Sequence, residues 1–278
     1  MPTRYPIILA HGICPFDRAL GPFFSRDNAD TDGFHYFRKI RSTLRAQGFE
    51  VFHSRVSWAS ALSLRALGLK RELERITHDF SRRPRVHIIA HSMGGLDARW
   101  MIYTHRMEDR VASLTTIGTP HRGTAFADWG LRRFGFLIKT ARTLGLDIQG
   151  FRDLAREACE RRNRILEGFE ATNGVFYRTV AGAQPLERIF PPLRPSYRII
   201  LREEGENDGL VSVRSAMWRE DRFWGLLDAD HFNQLGWWDP SEARTGVDRR
   251  SFEKGIREVY LELARGLEAW EQGRTGVG

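Results

Sequence analysis

With 278 residues, 41% of them hydrophobic, the chain can bury roughly three quarters of its unfolded surface, so one domain over 1–278 is the default organisation. Lys and Arg outnumber Asp and Glu, 43 to 35, but the arginines are scattered, which argues for a solvated basic surface and against a nucleic-acid stripe. Cys14 and Cys159 form neither a disulfide framework nor a metal-ligand set, their spacing leaves pairing open, and no apolar run approaches the ~18 residues of a membrane span.

The start, MPTRYPIILAHG, reads as a strand rather than a charged leader with an apolar core, so the expectation is a soluble chain, either cytoplasmic or secreted and already without its leader. YPIILA (5–10) and FEVFHSRV (49–56) read as strands. Between them Phe34, Phe37, Ile40 and Leu44 keep a helical stripe. The helical SLRALGLKRELERITHDF leads into the strand VHIIA, and VASLTTIG and FYRTVAG follow as further strands. Apolar runs of this length suit strands covered on both faces, and intervening helices suit right-handed crossovers, so the class is α/β with a mostly parallel sheet flanked by helices. An Arg-rich, helix-prone insert from about 126 to 172 exceeds an ordinary connection and reads as a cap over one end of the sheet. In the last helix Phe252, Ile256, Val259, Tyr260, Leu263 and Leu267 share a face.

Ser92 stands where VHIIA turns into the helical MGGLDARWMI. A sharp strand-to-helix turn would push its hydroxyl above the sheet, and Ala90, Gly94 and Gly95 leave room for it. This is the nucleophile-elbow pattern G-x-S-x-G with Ala in the first position. The plainer reading is a serine capping the helix.

Four blocks, YPIILAHGI, HIIAHSMGGLDARW, TTIGTPHRGTAFAD and ENDGLV with DADHFNQLGWW, make the chain similar to bacterial triacylglycerol lipases and esterases of the α/β-hydrolase superfamily. The resemblance implies that fold with an inserted helical cap, and a serine hydrolase acting on carboxylic esters such as acylglycerols. Acyltransferase, thioesterase and noncatalytic binding remain as alternatives on the same fold. In this superfamily the order is Ser, acid, His, which points from Ser92 to Asp208 and His231. The plainer readings are an Asn-Asp-Gly turn for Asp208 and a structural histidine beside Trp237 and Trp238 for His231. His11, His91 and His121 are rival histidines, and Asp228 and Asp230 rank second as acids. The oxyanion donors implied are the backbone N–H groups of Met93 and Ile13, with Gly12 letting that loop approach.

No organic cofactor is expected. Similar lipases carry a calcium-binding aspartate two residues after the catalytic histidine, where this chain has Asn233. The amide lowers the charge of any such site, with Asn233, Asp228 and Glu187 as the oxygen donors left. The expected partner is an ester or lipid substrate, with no nucleic acid. In the insert, Phe134, Phe136, Leu137 and Ile138 are apolar, while Arg132, Arg133, Lys139, Arg142, Arg152, Arg156, Arg161, Arg162 and Arg164 are basic. That composition fits either fixed helices with solvated arginines or a lid that opens on transient contact with a lipid surface.

Overall fold

The computed structural model describes residues 2–12, 32–56, 60–133, 149–246 and 248–273. Among these, six strands form one parallel sheet in the order β2-β1-β3-β4-β5-β6: β1 (Ile7–Ala10), β2 (Val51–His53), β3 (Val86–His91), β4 (Val111–Ile117), β5 (Phe176–Gly182) and β6 (Phe223–Leu227). Every residue of β1, β3 and β4 is buried, which is why their sequences run apolar instead of alternating.

The two faces are still separated by the period of two along a strand. Ile7, Leu9 and Ile89 pack with α1 (Ile40–Ala46) and the long α9 (Arg249–Glu271) through Ile40, Leu44, Tyr260 and Leu263. Ile8, Ala10, Ile88 and Ala90 face α2 (Leu62–Thr77) and α3 (Met93–Thr104) through Leu69, Leu73, Ala98 and Met101. The register sets Ala10 beside Ala90 and Ala90 beside Thr116, so the carboxyl ends of β1, β3 and β4 finish level. That common edge is where the loops carrying Gly12, Ser92 and Gly118 meet.

Between β4 and β5 lie a helical segment at 125–133 (α4), α5 (Gln149–Asp153) and α6 (Arg156–Thr172). Phe134, Phe136, Leu137, Ile138, Lys139 and Arg142 fall outside the described residues, as do Cys14 and Ile13. The described part is fastened to the sheet domain. Asp153 accepts from the Leu62 amide at 2.8 Å, Asn163 donates to the His121 carbonyl at 2.9 Å, and Glu170 pairs with the buried Arg99 of α3 at 2.7 Å. Arg161 and Arg164 face water and pair one turn away with Glu157 and Glu160. Cys159 is a buried free thiol.

Three sequence readings change. Phe34 is 67% exposed while Phe37, Ile40 and Leu44 are buried, because Lys39 takes a left-handed conformation (φ 56°) and the helix begins only at Ile40. The second strand shortens to Val51–His53, after which the Ser54 amide bonds to the Leu9 carbonyl and the chain leaves the sheet. The strand β6 has no counterpart among the strands read from the sequence. It is a five-residue edge strand with Leu226 half exposed, so it shows neither alternation nor a long apolar run. Beyond β5 the chain also forms α7 (Arg194–Glu204) and α8 (Val213–Met217). No described helix is long and apolar enough to cross a membrane.

Candidate active site

Ser92 joins β3 to α3 with φ 56° and ψ −133°, a region a side chain rarely adopts and one that costs about 1–3 kcal/mol. The turn is pinned by its own amide to the Ile117 carbonyl (2.9 Å) and by the Thr119 hydroxyl, which donates to its carbonyl (2.7 Å). The small residues around it are required by contact. A Cβ on Gly94 would lie 2.6 Å from the Ala10 carbonyl, and one on Gly12 would lie 2.7 Å from Ser92 Cβ. The Ser92 hydroxyl makes no capping bond to α3, so the helix-cap reading does not hold.

That hydroxyl instead faces His231, Oγ to Nε2 at 2.9 Å, and His231 Nδ1 stands 2.7 Å from Asp208 Oδ2. A carboxylate only accepts, so the shared hydrogen belongs to Nδ1, and Nε2 turns its lone pair to Ser92. The Asp208 loop fits both of its readings. Oδ1 accepts from the Leu210 and Val211 amides at 2.9 and 2.7 Å and forms the turn, which leaves Oδ2 for His231. The His231 amide also bonds to the Asp208 carbonyl at 2.9 Å, tying the two loops by backbone. Asp208 and His231 are both buried. The arrangement can take a proton from Ser92 and stabilise the imidazolium that results.

The rival residues are engaged elsewhere. Asp228 is exposed and pairs through both oxygens with Arg188 at 2.7 Å. Asp230 is buried and accepts the amides of Phe190, Phe232 and Asn233; burial pushes its carboxyl up to about 7, against the pull of those amides. His11 is engaged with its neighbouring loops through the Gly12 carbonyl and the Val56 amide. His91 meets the Tyr36 hydroxyl at 2.8 Å, and burial, then the nearby His231, hold it well below the usual histidine range. His121 meets Arg99 and Thr116. Met93 is fully buried as the first residue of α3, so its amide lies at the positive end of that helix.

Two groups near Ser92 escaped the sequence reading. Arg65 of α2 is completely buried and donates to Asp97 of α3 at 2.6 Å and to the His11 carbonyl at 3.1 Å, joining the loop after β1 to the helix after Ser92. Burial pushes the Asp97 carboxyl up to about 6, against the pull of the Arg65 guanidinium. Gln234 donates to Asp208 Oδ2. Its only sequence signal is an amide three residues after the histidine.

The polar groups around Asn233 are bonded to one another. Asn233 Nδ2 donates to the Trp237 carbonyl at 2.8 Å, and Asp228 faces Arg188. Among the described residues no group of three His, Cys, Asp or Glu could hold a metal ion. A separate cavity of about 440 Å³ lies against α6, α7 and α8; its charges pair across it, Arg99 with Glu170 and Arg156 with Glu203, and Ser92 is not in its lining.

Known proteins resemble this chain in sequence or in fold. The chain is 25% identical over 270 residues to triacylglycerol lipase 2 of Saccharomyces cerevisiae, covering 85% of this chain and 81% of that one. Over 126 residues it is 31% identical to a triacylglycerol lipase of Pseudomonas fragi, covering 45% of this chain and 38% of that one. The crystal structure of Staphylococcus hyicus lipase matches with a TM-score of 0.66 over 97% of both chains at 18% identity, a likeness of fold. The family profile described as alpha/beta hydrolase fold matches residues 5–179, from before β1 into β5, and the chain belongs to that family.

Proposed function

We propose that this chain hydrolyses carboxylic esters, acylglycerols among them, through Ser92, His231 and Asp208. The observation that carries the reading is the unbroken chain from Ser92 Oγ to His231 Nε2 (2.9 Å) and from His231 Nδ1 to Asp208 Oδ2 (2.7 Å). His231 takes the hydroxyl proton as Ser92 attacks the ester carbonyl. The negative oxygen of the tetrahedral intermediate is met by the Met93 amide, with Ile13, outside the described residues, assigned as second donor by the resemblance. The intermediate collapses, His231 returns the proton to the leaving alcohol, and an acyl group remains on Ser92. Water, deprotonated by the same histidine, releases the acid. Asp208 stays ionised throughout, orienting the ring and stabilising its charged form.

The choice of esters rests on relatives named as triacylglycerol lipases. The test is hydrolysis of p-nitrophenyl and glyceryl esters of increasing acyl length, with a fluorophosphonate to label the nucleophile. The expected result is turnover blocked by one phosphonate on Ser92, located by mass spectrometry. Absence of label in a folded protein, or undiminished turnover after Ser92→Ala, would remove the proposal. An emulsified arm tests contact with lipid surfaces. A sharp rise above the solubility limit, weakened by salt and by charge reversal at Arg132 and Arg133, supports a moving lid; smooth saturation supports a fixed cap.

A further inference from the structure

The Asp208 oxygen that meets His231 has a second partner. Gln234 is fully buried in the 3-10 turn Asn233–Leu235, and its Nε2 donates to Asp208 Oδ2 at 2.8 Å, the same atom that receives His231 Nδ1–H. With Leu210 and Val211 on Oδ1, each oxygen of this carboxylate accepts two hydrogen bonds. Its plane is therefore fixed from both sides.

The seat of that amide is built by neighbouring strand ends. A Cβ on Gly118, just after β4, would fall on the Gln234 amide oxygen, and one on Gly182, ending β5, would fall on its nitrogen and 2.6 Å from the Ala229 carbonyl. The backbone of Gln234 is held as well. Its amide bonds to the Asp230 carbonyl at 3.0 Å, and its carbonyl accepts from the Tyr260 hydroxyl of α9 at 3.0 Å. Because a carboxylate cannot donate, the NH2 end of the side chain must face Asp208. His91 lies 4.5 Å, ring to ring, from His231, and burial, then the nearby His231, hold it well below the usual histidine range.

We propose that Gln234 is a positioning residue of the Ser92–His231–Asp208 triad, its amide holding the carboxylate oxygen that orients His231 in a seat kept open by Gly118 and Gly182. This inference rests on the triad reading above. A carboxylate already held by fixed donors needs no rearrangement when the imidazolium forms, and that preorganisation lowers the barrier rather than tightening substrate binding. Glutamine suits the position because an ionised glutamate would repel Asp208.

The test uses the full chain with Gln234→Met, of similar length without a donor, and Gln234→Glu, of the same shape. Three readouts are needed: kcat and KM on a p-nitrophenyl ester, the rate of fluorophosphonate labelling at Ser92, and the downfield proton resonance of His231 Nδ1–H. For Gln234→Met we expect a loss of about 10- to 100-fold in kcat and labelling rate, KM within about twofold, and an upfield shift of that resonance. Gln234→Glu should be active only in the pH window where His231 is already neutral and the introduced carboxyl is still protonated and donating, and should add a falling limb on the alkaline side as that carboxyl ionises. Both variants labelling at the unmodified rate, with unaltered pH profiles and resonance, would overturn the inference while leaving the triad intact, even if melting temperature falls. Failure of Ser92 to label in the unmodified chain would overturn the triad reading, and this inference with it.

Discussion

Two buried histidines, His231 and His121, sit at the carboxyl edge of the sheet, each with a hydroxyl at hydrogen-bond distance from Nε2: Ser92 at 2.9 Å and Thr116 at 2.8 Å. What separates them is the group on the other nitrogen. His231 Nδ1 faces the Asp208 carboxylate, whereas His121 Nδ1 faces the Arg99 guanidinium at 3.1 Å and the ring stacks on Trp218. A guanidinium only donates, so His121 must accept through Nδ1 and carry its hydrogen on Nε2, where it donates to Thr116. That ring has no lone pair to offer its hydroxyl. Burial, then Arg99, Arg222 and Arg122, hold it well below the usual histidine range, so a charged form has no support. A base is defined by what stands behind it, and a nearby hydroxyl alone does not identify one.

The largest expected effects come from removing the side of this contrast proposed to be catalytic. Ser92→Ala and His231→Ala should each lower kcat by several powers of ten, and Asp208→Asn by about 10⁴-fold, with circular dichroism and melting temperature showing a folded protein. His121→Gln should keep kcat within a few-fold per folded molecule. If His121→Gln abolished turnover in a folded protein and His231→Ala did not, the contrast would be inverted.

Next in size is the support behind His121. Arg99 is buried, stacks 3.8 Å from the Trp218 ring centroid and pairs with the equally buried Glu170. Arg99→Met would strand Glu170 and should cost about 3–5 kcal/mol in urea unfolding, with residual activity tracking the folded fraction. A loss below about 1 kcal/mol would mean that α6 is not held to α3 by this pair.

The pH dependence of stability follows from the same contrast. His121 has its pKa depressed below the ordinary 6.5, so the unfolded chain takes up its proton first as pH falls. The stability this group contributes is present above about 6.5 and is lost as pH falls from there toward the folded value. His121→Gln should therefore flatten the decline of unfolding free energy between pH 6.5 and 5, by up to about 1.4 kcal/mol per pH unit. An unchanged slope would mean that His121 titrates alike in both states.

Much of this was legible in the sequence, for particular reasons. Strands β1, β3 and β4 are buried on both faces and declare themselves as apolar runs, and the elbow around Ser92 is written in small residues because backbone carbonyls crowd each of them. The pairing of Asp208 with His231 followed from the Ser, acid, His order of the superfamily together with the blocks ENDGLV and DADHFNQLGWW that carry the resemblance. Less was visible where partners are distant in sequence. Arg65 and Asp97 lie 32 residues apart, and Arg99 and Glu170 lie 71 apart, so nothing local distinguishes them from solvated charges. Gln234 was overlooked because a buried amide leaves no periodic signature; its seat appears only when β4 and β5 lie side by side.

The smallest expected effects concern which carboxylate, and which ion, supports His231. Asp228 stands three residues before it, yet its side chain is 70% exposed and its oxygens are held by Arg188. Asp228→Ala should leave kcat within about twofold and cost about 0–1 kcal/mol, the usual worth of an exposed ion pair. The loop after His231 is held by Asn233 on the Trp237 carbonyl and by Asp230 on three backbone amides, all internal groups. A chelator should therefore leave melting temperature and kcat unchanged. Asn233→Asp would exchange the donor for a carboxylate facing the Trp237 carbonyl and Asp239, and should destabilise by about 1–3 kcal/mol without added metal. A fall in melting temperature with chelator, reversed by calcium, would show that His231 leans on an ion where His121 leans on an arginine, and the contrast between them would then be one of two cations at different distances.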